Sequence, residues 1–302
     1  MNNDFMHDWT DDKILEIEKT IHKMFKSTRK EIISQFEKIN KKVKSYNGDL
    51  PQQEILKLWN KNKMLDKFIK ESAIKIKDLN KETIKLIQKE LMGIYLANYY
   101  FGAYLSELVT DKKIFKELPN SVVAKKVLEE NPNEFTNLKY SEITSYTFIL
   151  ISLTKMVKTS ILKDRNGFKK DMDKYLSKLL NTANTTTETN TSRIESMGRL
   201  EAFKFADSKY TGLKKQWVST LDMRTRKSHQ RVNMEIRDIN KKFSNGLMFP
   251  CDPAGSAKET VNCRCTIVVI NPTMERDGYI QDLDKRLTRK QFELWKEEKK
   301  WE

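Results

Sequence analysis

The sequence predicts an α+β protein, with a predominantly α-helical, elongated N-terminal body and a small α+β C-terminal module. Two observations point there. Before about residue 210, apolar residues recur at three- and four-residue steps among lysines and glutamates, as in helices with narrow buried stripes. Between Lys214 and Ile270 lie all three cysteines, two of the six prolines and one of the three histidines, with short strand-like runs such as Thr266–Ile270. The linear division expected is a helical body over 1–182, a polar hinge over 183–192, the module over 193–273 and a helical tail over 274–302.

The first helix is expected after Asp11-Asp12, from Ile14 to about Tyr46, where Ile14, Ile17, Ile21 and Phe25 start its stripe. Asn47-Gly48 ends it, and Pro51 suits the first turn of a second helix over Gln52–Leu79. Asn80 is read as the cap of a third, running through the aromatic segment Leu91–Val109. That segment approaches membrane-spanning length but contains Asn98, Ser106 and Glu107, so a buried bundle helix is expected. A short helix over Ser121–Glu130, a break at Asn131-Pro132-Asn133, a helix opened by Ser141-x-x-Thr144 and a further short helix at Lys170–Leu180 follow. Asn181–Ser192 is polar without apolar periodicity, and 183–189 reads as a flexible hinge. In the helix 193–210, Arg193, Glu195, Arg199 and Glu201 alternate in sign while Ile194, Met197 and Leu200 face inward. The tail carries a last helix from Thr288 with Phe292, Leu294, Trp295 and Trp301.

The 57 Lys+Arg against 42 Asp+Glu give a net charge of +15, a balance that favours a polyanion nearby. The excess is spread along the chain, +9 over residues 1–210 and +6 beyond, so sequence-specific DNA reading is not expected; the charge reads either as a nonspecific, salt-weakened phosphate contact with double-stranded DNA or as a lysine-rich bias of the source genome. The acidic start MNNDFMHDWTDD has no apolar run, and three cysteines do not make a secreted disulfide framework, so the cytosol is the expected compartment, without membrane association. The body holds no Gly-rich phosphate loop and no nucleophile beside a base. His7 and His22 read as ordinary surface positions.

In the module a strand forms around Trp217, and Asp222 opens a helix Met223–Arg231. Spacings of four and three then put Asp222, Arg226 and His229 on one face, with Arg224 and Lys227 elsewhere. That face reads either as a site for phosphate or carboxylate, or as an Asp222–Arg226 ion pair locking the turn beside a buried His229. An extended segment Met234–Phe243, a turn at Asn245-Gly246, a loop Pro250–Gly255 and a strand Cys263–Ile270 complete the module. Period two turns Cys263 and Cys265 to the same side. With Cys251 and His229 they make a Cys3His set able to hold a structural zinc; buried free thiols are the alternative, and no other cofactor is expected.

The order W-x4-D-x-R-x-R-x2-H, F-x-x-G-x-x-x-P, D-P and N-C-R-C resembles the C-terminal domain of the phage Mu F-like head morphogenesis family, the minor head (minor capsid) proteins of tailed phages. The matching residues include Trp217, Asp222, Arg224, Arg226, His229, Phe243, Gly246, Pro250, Asp252, Asn262, Cys263, Arg264 and Cys265. Arg193, Glu195 and Ala202 extend the likeness into the preceding helix. Many members have a glycine where Cys251 stands. The resemblance implies a non-enzymatic virion component in the head interior at the portal vertex, with portal, capsid and scaffold proteins as partners and packaged DNA nearby, in some members ejected with it. The competing class is a nucleic-acid-acting or toxin-like enzyme using the Asp222/Arg226/His229 face, because the same module occurs fused to toxin domains.

Overall fold

The computed structural model describes residues 4–47, 51–61, 63–122, 124–125, 145–163, 167–273 and 286–301. In chain order these form α1 (Phe5–Asn47), α2 (Gln52–Lys61), α3 (Met64–Thr110), β1 (Glu117–Leu118), α4 (Tyr146–Lys163), α5 (Gly167–Lys209), β2 (Lys214–Val218), α6 (Lys227–Arg231), β3 (Ile236–Asp238), α7 (Ala257–Thr260), β4 (Thr266–Ile270), α8 (Arg289–Glu297) and β5 (Lys300–Trp301). Helices dominate and a small antiparallel sheet accompanies them, so the α+β class holds. No described helix is long and apolar enough to cross a membrane, and Leu91–Val109 is the C-terminal part of α3.

Several boundaries differ from the sequence expectation. The break expected at Asn80 lies earlier, at Lys63, whose backbone is left-handed (φ 53°). Asn80 itself is buried inside α3. The polar run 181–192 is continuous helix within α5, not a hinge. Its polarity has a packing origin: Thr187, Asn190, Thr191 and Ser192 are buried, and the Thr189 hydroxyl accepts from the Asn262 backbone N–H at 3.0 Å. Gly167 separates this helix from α4 as expected, and the short helix expected at Lys170–Leu180 is the first part of the longer α5. Residues 126–144 and 274–285, which hold the expected Asn-Pro-Asn break, the Ser141–Thr144 opening and the start of the tail, lie outside the described residues. The tail helix forms as expected, its Thr288 hydroxyl accepting from the Gln291 N–H, although Trp301 falls in β5.

The backbone divides into two compact units, one of residues 1–16, 88–137 and 185–302, the other of 17–87 and 138–184. This replaces the expected linear partition, because α1, α3 and α5 each contribute to both. In the second unit Phe36 stacks on Phe168 with centroids 4.1 Å apart, and Phe68 packs edge-on against Phe168. Arg29 and Asp173 are paired beside this cluster's helices.

The first unit contains the sheet, ordered β3-β2-β4 with both pairings antiparallel. Strand β2 alternates, burying Lys215 and Trp217, whereas β4 is buried over four of its five residues. Helices α3 and α5 approach closely through small residues: a side-chain carbon added at Gly198 would lie 2.6 Å from the Tyr95 carbonyl oxygen, and one at Gly102 would lie 3.0 Å from Ala202 Cβ. A buried polar network crosses this contact. The Arg199 guanidinium, fully buried, pairs with Asp4 and with Glu195 (3.1 Å), donates to Asn98 Oδ1 (3.1 Å) and lies over Phe101. His7 Nδ1 is 2.9 Å from Glu195 Oε1, and the Thr266 hydroxyl donates to the same oxygen at 2.7 Å. His7 is therefore not an isolated surface residue, and Arg193, Glu195 and Arg199 are interior rather than solvated. Burial works to lower the His7 pKa, but the Glu195 and Asp4 carboxylates outweigh it and raise it to about 9. His22 is exposed, as expected.

The tail helix closes over α3. Phe292 meets Phe5, Phe101 and Tyr104, while the Trp295 indole N–H (2.6 Å) and Lys299 Nζ (2.8 Å) donate to Glu107 Oε2. The other Glu107 oxygen accepts the Ile114 and Phe115 N–H groups, so this buried carboxylate is fully used.

Candidate functional site

The sequence-predicted residues gather around the end of β2, α6 and the loop entering β4. Trp217 is fully buried, its ring edge-on to both His229 and Phe243 (5.2 Å each). Its indole N–H donates to Ser219 Oγ (3.1 Å), whose hydroxyl donates to the His229 carbonyl (2.8 Å). The tryptophan thus fixes the chain on which the histidine sits.

The expected helix from Asp222 does not form. α6 begins only at Lys227, with Arg226 at its N-cap in extended conformation. Residues 222–225 make a turn instead: Asp222 Oδ1 accepts the Arg224 N–H (2.9 Å) and the Thr225 hydroxyl (3.1 Å). Without a common helical face, Asp222 pairs with Arg264 and not with Arg226, and Arg226 donates to the Val261 carbonyl. The Arg224 side chain is largely exposed and stands 3.7 Å from Asp222. A cavity of about 200 Å³ opens here, lined by Asp222, Arg224, Arg226, His229, Arg264 and their neighbours.

The loop after β3 is held by its own polar groups. Asp252, buried, accepts the Met248 N–H (2.7 Å) and the Ala254 N–H (2.9 Å). Pro250 is buried, and Cys251 follows in left-handed conformation (φ 63°). Its carbonyl accepts from Arg193 Nε at 2.9 Å, which ties α5 to the loop. Asn262 is also left-handed (φ 54°) and bonds back to Thr189. Lys215 reaches from β2 to the Met248 carbonyl (2.8 Å) over the Phe243 ring; burial, with Lys204 nearby, lowers its pKa to about 8.

The soft donors do converge. His229 is buried, with Nδ1 3.3 Å from Cys263 Sγ and 3.5 Å from Cys265 Sγ. Their three ligand atoms lie within 4.8 Å of one another. Cys251 stands outside this closest set, its thiol donating to the Thr260 and Cys263 carbonyls at 3.2 and 3.4 Å. The neighbouring thiols, with burial, hold the Cys263 and Cys265 thiols well above their usual range. The opposite imidazole nitrogen, Nε2, is 3.0 Å from Glu259 Oε2, which also accepts the Ser228 hydroxyl (2.9 Å). Glu259 was not legible as a partner of His229, since α7 is a four-residue helix with no apolar stripe of its own. Most of the remaining polar groups hold backbone or one another, so the arrangement does not assemble Asp222, Arg226 and His229 into one acid–base constellation.

The chain is 26% identical over 275 residues to "Minor head protein GP7" of Bacillus phage SPP1, covering 89% of this chain and 87% of that protein. Over 101 residues it is 28% identical to "NAD(+)--arginine ADP-ribosyltransferase EFV" of Enterococcus faecalis, 32% of this chain but only 21% of that protein. No solved structure matches significantly. Residues 162–268, which run from the end of α4 through Trp217, His229 and both cysteines of Cys-Arg-Cys into β4, match the family described as Phage Mu protein F like protein.

Proposed function

We propose that this chain is a minor head protein of a tailed phage, acting in head morphogenesis as a structural adaptor and not by turnover. The observation that carries the reading is the near full-length likeness to the SPP1 minor head protein, which includes the helical segments as well as the module. The site is consistent with it: Asp222, Arg226, Asp252 and Asn262 spend their polar groups on neighbouring backbone and side chains. The finer assignment places the protein at the portal vertex, with portal and capsid or scaffold proteins as partners, and in contact with packaged DNA. Five lysines, Lys112, Lys113, Lys116, Lys204 and Lys209, against Glu117 and Glu201 around a cleft of about 1070 Å³ support the last part as a site for backbone phosphates. Deleting the gene from its phage should lower infectious titre and remove this chain from purified heads; unchanged titre overturns the proposal. DNA binding should weaken steeply with salt and with charge reversal of Lys204 and Lys209.

The 101-residue likeness to the ADP-ribosyltransferase favours a second reading, an enzyme working from the cavity beside His229. Transfer of ADP-ribose from NAD to arginine-rich protein substrates tests it. Activity lost in His229→Ala with the fold intact would establish this reading in place of the first.

A further inference from the structure

We propose that His229, Cys263, Cys265 and Cys251 form a structural zinc site that locks α6, the loop after β3 and the entry to β4 together. Zinc bonds of about 2.3 Å to sulfur and 2.0–2.1 Å to nitrogen at a tetrahedral angle put a sulfur and a nitrogen roughly 3.6 Å apart. The two sulfur–Nδ1 separations, 3.3 and 3.5 Å, already match that edge. Glu259 is the second argument. A carboxylate accepts only, so Nε2 carries the imidazole proton and Nδ1 turns its lone pair toward the sulfurs, the carboxylate–histidine arrangement that orients zinc ligands.

Cys251 supplies the fourth ligand. It is completely buried, its thiol donates to the Cys263 carbonyl, and it keeps a side chain at a left-handed position where glycine would be unstrained. Its thiol is directed at the Thr260 and Cys263 carbonyls, at 3.2 and 3.4 Å, so joining the site requires a side-chain rotation that turns the sulfur toward the other three ligands. Binding Zn²⁺ releases one proton from each of the three thiols, leaving a site of net charge −1 next to Arg193, which donates to the Cys251 carbonyl.

The test uses the full chain without a polyhistidine tag, purified in reducing buffer. Elemental analysis should give about one zinc per chain, falling below roughly a tenth in Cys263→Ser/Cys265→Ser. Cobalt(II) exchanged into the wild type should show a thiolate-to-metal band, and Cys251→Ser should lose about a third of it, one sulfur in three. Wild type that neither carries zinc nor gives the cobalt band overturns the site, whether or not the double variant folds. A disulfide among the three cysteines in freshly purified protein overturns it too, and an unchanged cobalt band in Cys251→Ser overturns the four-ligand assignment.

Discussion

His7→Gln tests the buried network directly, because the histidine links the start of α1 to Glu195 of α5 and its charge depends on pH. Glutamine keeps a donor for the Glu195 carboxylate and removes only the titrating charge. The folded-state pKa is raised from 6.5 to about 9. At about 1.4 kcal/mol per unit, that corresponds to about 3 kcal/mol of stability when the imidazolium is fully formed. The group is a cation with a raised pKa. Its contribution is therefore complete below about pH 6.5 and disappears as pH climbs through about 9. Urea unfolding at equal ionic strength should show the wild type more stable than His7→Gln by about 3 kcal/mol at pH 6, with the gap closing toward zero by about pH 9.5. A gap that stays constant to within roughly 0.5 kcal/mol across that range refutes the argument that Glu195 holds a charged histidine.

The glycines give a matched pair. Gly198→Ala drives a methyl to 2.6 Å from the Tyr95 carbonyl and should cost about 1–3 kcal/mol, whereas Gly93→Ala, with nothing within 4 Å, should gain about 0.5–1 kcal/mol in thermal unfolding. Equal effects would discount the close α3–α5 approach. Lys215 has a pKa lowered to about 8, so between there and its unfolded value the unfolded chain binds more protons and stability rises with pH. Lys215→Met should therefore lose ground to the wild type as pH increases from 7 to 10, and a pH-independent difference counts against a desolvated ammonium. Asp252→Ala leaves two loop N–H groups unpaired and should destabilise by about 2–3 kcal/mol in denaturant titration. A cost under about 0.5 kcal/mol would mean that water replaces the carboxylate.

What the sequence made legible were local patterns. The strand expected around Trp217 is β2, the three- and four-residue steps marked α1 and the start of α3, and Cys-x-Cys placed two sulfurs on one side, where the structure sets them against His229. What stayed hidden depends on partners distant in the chain. His7 and Glu195 are 188 residues apart, and Arg199 meets Asp4 across 195, so neither pairing has a sequence period. Asn181–Ser192 looked like a hinge because its polar groups serve the loop at Asn262, a use that no helix stripe reveals. Asp222 was assigned to Arg226 on helical spacing. The turn at 222–225 cancels that spacing and leaves Arg264, 42 residues on, as its partner.

The unit that carries the sheet is assembled from residues 1–16, 88–137 and 185–302. Its first and last described segments meet directly, since Phe5 packs on Phe292. Such long loop closures make folding slow and leave apolar surface uncovered until they are complete. During synthesis the amino-terminal turn must therefore wait for Phe292 to leave the ribosome before this contact can form. A prematurely terminated chain lacks Phe292 and the strand of residues 266–270, so it cannot finish this unit. Only a chain that extends through Phe292 completes the packing of this unit.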